Sequence, residues 1–380
     1  MVLIYFPVGL MQVAGIISNL RHSHDQGVIP QPEPGRKVVV EIVTNGQNPD
    51  VVDSITRRIE EYDLGVEIFV VKEESDTHEY RATQITVPAD YTTPNGSMTK
   101  LRALHYAIGW LHDHGYGHET YICHLDDDSI VEKDYIRYIM GMSSVAGQGE
   151  IRLRDYGSHL LSTLADFVRV SDCDIYCKHF NSHGKAMFVH GEGLVIRADI
   201  EYEIGWDFGT YGADDVIMGN IISVRYGFSR IPYHVFISPP LSARDFYRQR
   251  RRWLMAIVYA RKKIWSVSHR LMIFLFYRYV VGWTGVMGLA YVLYSIIAKF
   301  TLPLPLLLIS LFNTVSYFMV YQYGALRTNR RYAPLMLLLQ YAVAFYEGAT
   351  LWYALIFPPD TKKFDVIRKA SVSSITDSGK

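Results

Sequence analysis

Long stretches of this chain run without a charge, and they fall at its two ends. Residues 1–20 (MVLIYFPVGLMQVAGIISNL) carry none, nor does Tyr279–Ala298 over twenty residues or Thr301–Leu326 over twenty-six. From Tyr332 to Pro359 the sole charge is Glu347. About 20 apolar residues cross a bilayer core, so each run is a candidate span. Three of them gathered in the last third argue against buried core helices. Between the ends the period changes. Lys37–Thr44 (KVVVEIVT) reads as a strand closed by the turn residues Asn45-Gly46. Val51–Tyr62 has helical spacing through Val52, Ile55 and Ile59; Val66–Val71 is a second strand and Lys100–Leu111 a second helix. Tyr121–Leu125 is a third strand, running into Asp126-Asp127-Asp128. This alternation predicts an α/β domain whose parallel sheet is covered on both faces and binds ligands at the carboxyl ends of its strands. A helix is expected over Ser129–Met140, a strand over Leu194–Ile196 and a helix start at Asp214-Asp215.

The first run has no basic segment before it and no small-residue cleavage site, so an uncleaved anchor is expected. Arg21, Arg36 and Lys37 follow it and place the next domain in the cytoplasm. Arg327, Arg330 and Arg331 put the loop between the last two runs on the same side. Lys362, Lys363, Arg368 and Lys369 favour the inside for the tail, whereas three crossings after the domain would leave it outside. One run is then re-entrant or interfacial. Residues 244–270 hold nine Lys/Arg and one acid, Asp245, interleaved with Tyr247, Trp253, Tyr259 and Trp265. Such a segment beside a span lies in the headgroup layer. The expected division is an anchor over 1–22, a water-soluble domain over 36–240, interfacial helices over 241–270, membrane helices over 271–359 and a tail over 360–380.

Composition narrows the function. The 380 residues carry 38 Lys+Arg and 38 Asp+Glu, which excludes a nucleic-acid binder working through bulk charge. A 49% hydrophobic share excludes disorder, and a mean hydropathy of +0.05 is high for a soluble protein. Three cysteines, Cys123, Cys173 and Cys177, fit a reducing compartment. Cys173, Cys177, His179 and His183 have the chemistry of zinc ligands, but their spacing is tighter than in common zinc modules, so no zinc module is assigned.

Neither GxxxxGK[ST] nor a strand-following GxGxxG occurs, so the glycine loops that cradle phosphates are absent. His190-Gly191-Glu192-Gly193 reads as a turn entering a strand. In an extended strand positions i and i+2 share a face, which pairs Asp126 with Asp128 as a hard-oxygen site for Mg²⁺ or Mn²⁺. The competing reading of that run is an acidic first turn of a helix. Asp214-Asp215 offers a second carboxylate pair, with the same competing reading. One pair for metal and one for proton abstraction suits displacement at a phosphorylated carbon. Gln249-Arg250-Arg251-Arg252-Trp253 adds guanidinium groups for a diphosphate and a ring for stacking.

An acidic triplet after a strand, an acidic pair about ninety residues on and Q-x-x-R-W before apolar helices resemble a membrane-type family 2 glycosyltransferase. That group includes the cellulose, chitin and hyaluronan synthases. The wording of Gly96–Leu104, His124–Asp128, Gly147–Gly149, Thr163–Asp172, Ala213–Asp215 and Asp245–Leu254 is most similar to egghead-like β-1,4-mannosyltransferases. The resemblance implies a GT-A domain set between an N-terminal transmembrane helix and a C-terminal helical membrane domain. It implies inverting transfer from a nucleotide sugar, GDP-mannose by wording, to a lipid-borne or glycan acceptor. A processive enzyme using a UDP-sugar is the alternative within the class, and a non-catalytic transporter or scaffold marked by Glu347 the alternative outside it. Carried over by position, Asp126 and Asp128 are the D-x-D pair, with the metal ligand drawn from Asp126, Asp127 and Asp128. Asp215 is the general base beside Asp214. Thr44 and Glu73 meet the nucleotide, Lys100 and Arg102 the diphosphate, and Gln249, Arg252 and Trp253 close the site at the membrane surface. Phe364–Lys369 is similar to the F-x-V-x-x-K gating segment of cellulose synthases.

Overall fold

The computed structural model describes residues 2–21, 27–154, 156, 158–281, 287–361 and 367. Most of the Phe364–Lys369 segment therefore lies outside the described residues. After the helix α1 (Val2–Arg21), the β-branched run makes β1 (Lys37–Val43), and Pro49 stands in the first turn of α2 (Pro49–Glu60), where its missing N–H costs nothing. Val51, Val52, Ile55 and Ile59 of α2 face the sheet. β2 (Glu67–Glu73), β3 (Thr83–Val87), α3 (Lys100–Asp113) and β4 (Thr120–Asp126) follow. These elements match the periodicity, and β1, β2, β3 and β4 are all parallel.

The second half departs from the expected parallel sheet. A two-residue strand, β5 (Ile130–Val131), replaces the start of the helix expected from Ser129; the helix itself, α4, covers Lys133–Ile139. Then come β6 (Ala146–Leu153), α5 (Leu160–Asp172), a π-helical turn Cys173–Cys177, α6 (Lys178–Ser182), β7 (Leu194–Arg197), α7 (Ala198–Ile204), α8 (Asp214–Arg225) and β8 (Ser229–Ile237). The sheet order is β3-β2-β1-β4-β7-β6-β8-β5. β7 is antiparallel to both β4 and β6, while β6 and β8 are parallel. The sheet is thus mixed, because β7 enters between β4 and β6 from the opposite end.

Under the middle of the sheet lies a polar knot. His124 of β4 has Nδ1 3.1 Å from Glu41 of β1 and Nε2 3.0 Å from Glu201 of α7, and Trp206 donates to Glu201 at 2.6 Å. Burial alone would push the imidazole down, but Glu201 and Glu41 overcome it and hold it at about 10.

α9 (Ala243–Val267) begins the helical region, followed by α10 (His269–Phe276), a π-helical turn Tyr277–Val281, α11 (Met287–Ile297), α12 (Leu304–Thr328) and α13 (Ala333–Ile356). Among the described residues, three helices are long and apolar enough to cross a membrane: Leu3–Arg21, Leu304–Thr328 and Arg330–Ile356. Of the run Tyr279–Ala298, residues 282–286 lie outside the described residues, and Met287–Ile297 is helical. Leu304, 65% exposed, and Leu338, 80% exposed, belong to the apolar outer faces of these helices, surface suited to lipid.

α1 and α12 run parallel, since Phe6 meets Phe312 (ring centres 5.3 Å apart) and Asn19 meets Tyr323. Gly9 permits the approach, as a Cβ there would sit 2.6 Å from Ser316 Oγ. Both helices therefore bring their basic C-terminal ends to the α/β domain. Arg327 Nε lies 3.1 Å from Asp174 Oδ2, and Asn329 Nδ2 donates to the Tyr156 hydroxyl at 2.9 Å. Gly324 is pressed on α5; any Cβ there would overlap the Phe167 carbonyl oxygen. α13 returns antiparallel to α12 and ends beside α9, where Arg251 Nη1 donates to the Phe357 carbonyl at 3.1 Å.

Replacing His124 with Leu strands two buried carboxylates. Its thermal unfolding in detergent should show a loss on the order of 3–5 kcal/mol. In the parent protein the His124 contribution is complete below pH about 6.5 and is lost as pH rises through about 10. A wild-type-like melting profile for His124→Leu across that range would contradict this.

Candidate active site

The carboxyl ends of β1, β2 and β4, the start of α8 and one face of α9 surround an open cavity of about 570 Å³. It extends past them to Gln12 of α1, to Tyr279, to Tyr317 and Tyr321 of α12, and to Glu347 of α13. Thr44, Glu73, Lys100, Asp126, Asp214, Asp215, Arg252 and Trp253 line it, so eight of the sequence-chosen residues are brought together.

Lys100, the first residue of α3, stands between the two acidic motifs. Its Nζ is 2.6 Å from Asp126 Oδ1 and 3.6 Å from Asp214 Oδ2. Burial acts against the ammonium, but Asp126 and Asp214 hold its pKa above the usual lysine value. Ala213, which precedes α8, adopts a left-handed φ of 62°. That conformation is unfavourable for alanine and turns the chain so that Asp214 and Asp215 occupy the first turn. The expected cap role is only partly met: Asp215 Oδ1 accepts from the Val216 amide at 2.8 Å. The low-dielectric wall, then Asp214, push the Asp215 carboxyl up to about 7 despite Lys100.

Three sequence-chosen residues lie off the cavity wall. Asp128 is 4% exposed and does not line it, whereas Asp127 does. β4 ends at Asp126 and the chain turns there, so the alternation that paired Asp126 with Asp128 stops one residue too soon. Arg102 does not line the cavity. Its Nη1 is 2.5 Å from Glu73 Oε2 and its Nε donates to the Tyr91 carbonyl at 2.8 Å, making it a clamp for Glu73. Gln249 is 4% exposed and accepts from Arg250 Nη1 at 3.2 Å. Three and four residues before Arg252 and Trp253, it shares their helix face one turn earlier, yet it does not line the cavity.

Other cavity residues escaped the sequence. Two guanidinium groups pack on Trp253, Arg169 4.8 Å and Arg250 4.6 Å from its ring centre. Arg169 Nη2 also donates to Glu192 Oε1 at 2.6 Å, and Arg250 Nη2 to Asp166 Oδ1 at 2.7 Å. The turn His190–Glu192 is thus cavity wall and not merely a strand entrance. A Cβ on Gly191 would sit 3.2 Å from Lys100 Nζ and 3.8 Å from Asp215 Oδ2. Only the absence of a side chain keeps that space clear. Towards the apolar helices, Asp172 of α5 pairs with Arg278 (Nε 3.0 Å), and Tyr321 donates to Glu347. The signal for Asp166, Arg169 and Asp172 lay in Thr163–Asp172, a stretch noted for its wording without roles.

Eight carboxylates and five Lys/Arg side chains line the cavity. This excess of hard-oxygen donors suits a divalent cation, with Asp126 and Asp127 on the wall as its available ligands. The same wall can take a proton at Asp215 and face a departing anion with Lys100, Arg169 and Arg252.

A family model described as "Glycosyl transferase family group 2" matches residues 121–346, and the chain belongs to that family. Its architecture is the GT-A type, with apolar helices before and after. The β-1,4-mannosyltransferase egh of Drosophila melanogaster is 28% identical over 258 residues, covering 62% of this chain and 55% of the fly protein. The β-1,4-mannosyltransferase bre-3 of Caenorhabditis elegans is 27% identical over 240 residues, covering 58% and 52%. The chain thus spans about half the length of the curated relatives it matches. The mannosyltransferase PcManGT of Pyrobaculum calidifontis, solved with GDP-Man and Mn²⁺, superposes with a TM-score of 0.51 at 15% identity, covering 93% of this chain and 100% of that one. That likeness bears on the fold.

Asp215 also leaves a mark on stability. Its folded pKa stands above the unfolded value near 4, so the fold loses stability as pH rises from about 4 through about 7. In metal-free protein, Asp215→Asn should melt higher than the parent at pH 8 and alike at pH 4. Equal melting temperatures at both pH values would refute the raised pKa.

Proposed function

We propose that the chain is an inverting mannosyltransferase that takes mannose from GDP-mannose and forms a β-linkage to a hydroxyl of a lipid-borne or membrane-associated glycan. The observation that carries this reading is the continuity of the cavity from Asp126 and Asp215 to Gln12, Tyr317 and Tyr321 on the apolar helices. A donor reaching in from the α/β domain and an acceptor anchored in lipid can meet there. The fly and worm relatives support mannose, and PcManGT, by its GDP-Man and Mn²⁺, supports a guanosine donor with a divalent metal.

Thr44 and Glu73, at the ends of β1 and β2, are positioned for the nucleoside, with Arg102 holding the Glu73 carboxylate still. Lys100, Arg169 and Arg252 face the diphosphate, and Trp253 is fixed as a flat wall by Arg169 and Arg250. Asp215 accepts the proton of the acceptor hydroxyl, whose oxygen attacks the anomeric carbon opposite the leaving diphosphate. Asp126, with Asp127 or Asp128, would hold a Mg²⁺ or Mn²⁺ ion, which would supply positive charge against that leaving group. The parts are then an anchor (1–22), a catalytic domain (36–240), interfacial helices carrying Arg252 and Trp253 (241–270), membrane helices (271–359) and a tail (360–380). The catalytic domain faces the cytoplasm, on the side of Arg21, Arg327, Arg330 and Arg331. Ile367 lines the cavity, which supports a tail on that same side.

Purified protein given GDP-mannose, Mn²⁺ and a membrane extract as acceptor source should release GDP and label a lipid-soluble product. Turnover should rise with pH through about 7, as Asp215 ionises. Asp215→Asn should lower it by about 10²–10⁴-fold with donor binding retained. Asp126→Ala should abolish metal-dependent donor binding in titration calorimetry. Release of UDP and not GDP from a donor panel would move the donor assignment, and an active Asp215→Asn would remove the base.

A further inference from the structure

We propose that Cys173, Cys177 and His190 bind a thiophilic cation of the Zn²⁺ type, at a site separate from the hard-oxygen carboxylates. Their ligand atoms all lie within 4.8 Å of one another. The side chains are buried, at 1%, 1% and 6% exposure. Cys173 Sγ is 3.7 Å from His190 Nε2. With Zn–S of about 2.3 Å and Zn–N of about 2.0 Å, two corners of a tetrahedron stand roughly 3.5 Å apart, so the gap is already close to a ligand edge.

The surroundings prepare both kinds of ligand. His190 Nδ1 lies 2.8 Å from the Glu192 carbonyl oxygen and donates to it. The neutral ring then carries its lone pair on Nε2, the nitrogen beside the sulfur, as ligating imidazoles are held elsewhere. The Ile151 amide donates to Cys173 Sγ at 3.2 Å, which favours a thiolate. The two cysteines bound one π-helical turn, a departure from α-helix that often marks functional sites. Cys173 and His190 line the cavity, which gives an ion its route in, and three protein ligands leave a fourth position for solvent or substrate.

The histidine is not one that spacing suggested. His179 Nδ1 is 3.4 Å from Ser18 Oγ and its ring packs on His183, whereas His190 reaches the cysteines from the neighbouring loop. A cation here ties the end of α5 to His190–Glu192, the loop whose Glu192 receives Arg169 and whose Gly191 lies against Lys100. It does not depend on which sugar is transferred.

Full-length protein in detergent, stripped with a chelator and loaded with Zn²⁺ alone, should retain one zinc per chain. Zinc-edge X-ray absorption should show two sulfurs at about 2.3 Å and one nitrogen at about 2.0 Å. Cys177→Ser should lower retained zinc at least about tenfold, while Asp126→Asn keeps the sulfur-bound zinc. The ligand shell of the parent protein decides the matter even if Cys177→Ser does not fold. No retained zinc, or zinc bound through oxygen and nitrogen only, overturns the site.

Discussion

Two sets of carboxylates from distant parts of a chain can share one cavity only if positive charge stands between them. Lys100 supplies it: one ammonium touches Asp126 at the end of β4 and approaches Asp214 at the start of α8. Two like charges about 4 Å apart repel by roughly 4 kcal/mol at the effective dielectric of a protein surface. Lys100 offsets most of that, and the N-terminal dipole of α8 favours the acids on its first turn. The lysine can hold this place only because α3 begins there and because Gly191 leaves the space open. The remaining negative charge makes the wall receptive to a divalent cation together with an anionic diphosphate.

A second layer of charges joins the α/β domain to the apolar helices. Asp166 meets Arg250 of α9, Asp172 meets Arg278, and Asp174 meets Arg327 at the end of α12. All three acids lie on or just after α5, so this helix is the seam between the α/β domain and the apolar helices. Buried pairs of this kind add little net stability, since desolvation cancels most of their attraction. They do fix orientation, because a misplaced partner leaves an uncompensated charge. Glu347 belongs to this layer, beside Tyr321 and 3.7 Å from Arg250, and so has a role within the cavity.

Much of the first half was legible because its signals are local. β1, β2, β4, α2 and α3 announce themselves through period and turn residues, and parallel pairing follows from their alternation. The insertion of β7 against the sheet direction could not be read, since it is decided by which distant edge remains open. Residue-level departures have the same origin. Period two holds up to Asp126 and lapses where β4 stops, so strand alternation does not set the sides of the next two acids: Asp127 lines the cavity and Asp128 is buried. Arg102 and Lys100 are two positions apart on α3 and look equivalent in sequence, yet only one faces the cavity. Glu192 was hidden because glycines on both sides make it look like a turn.

The contact at Gly324 ties the cavity to the long apolar helix α12. With no methyl group between them, the backbone of α12 bears on that of α5, and nothing compressible lies at the joint. Hydrophobic mismatch tilts a long apolar helix when the bilayer is thinner or thicker than its span. If α12 spans a bilayer, as its length and apolarity allow, its tilt would be handed to α5 and to Arg169 on the cavity wall. The thickness of that bilayer would then be a mechanical input to the shape of the cavity.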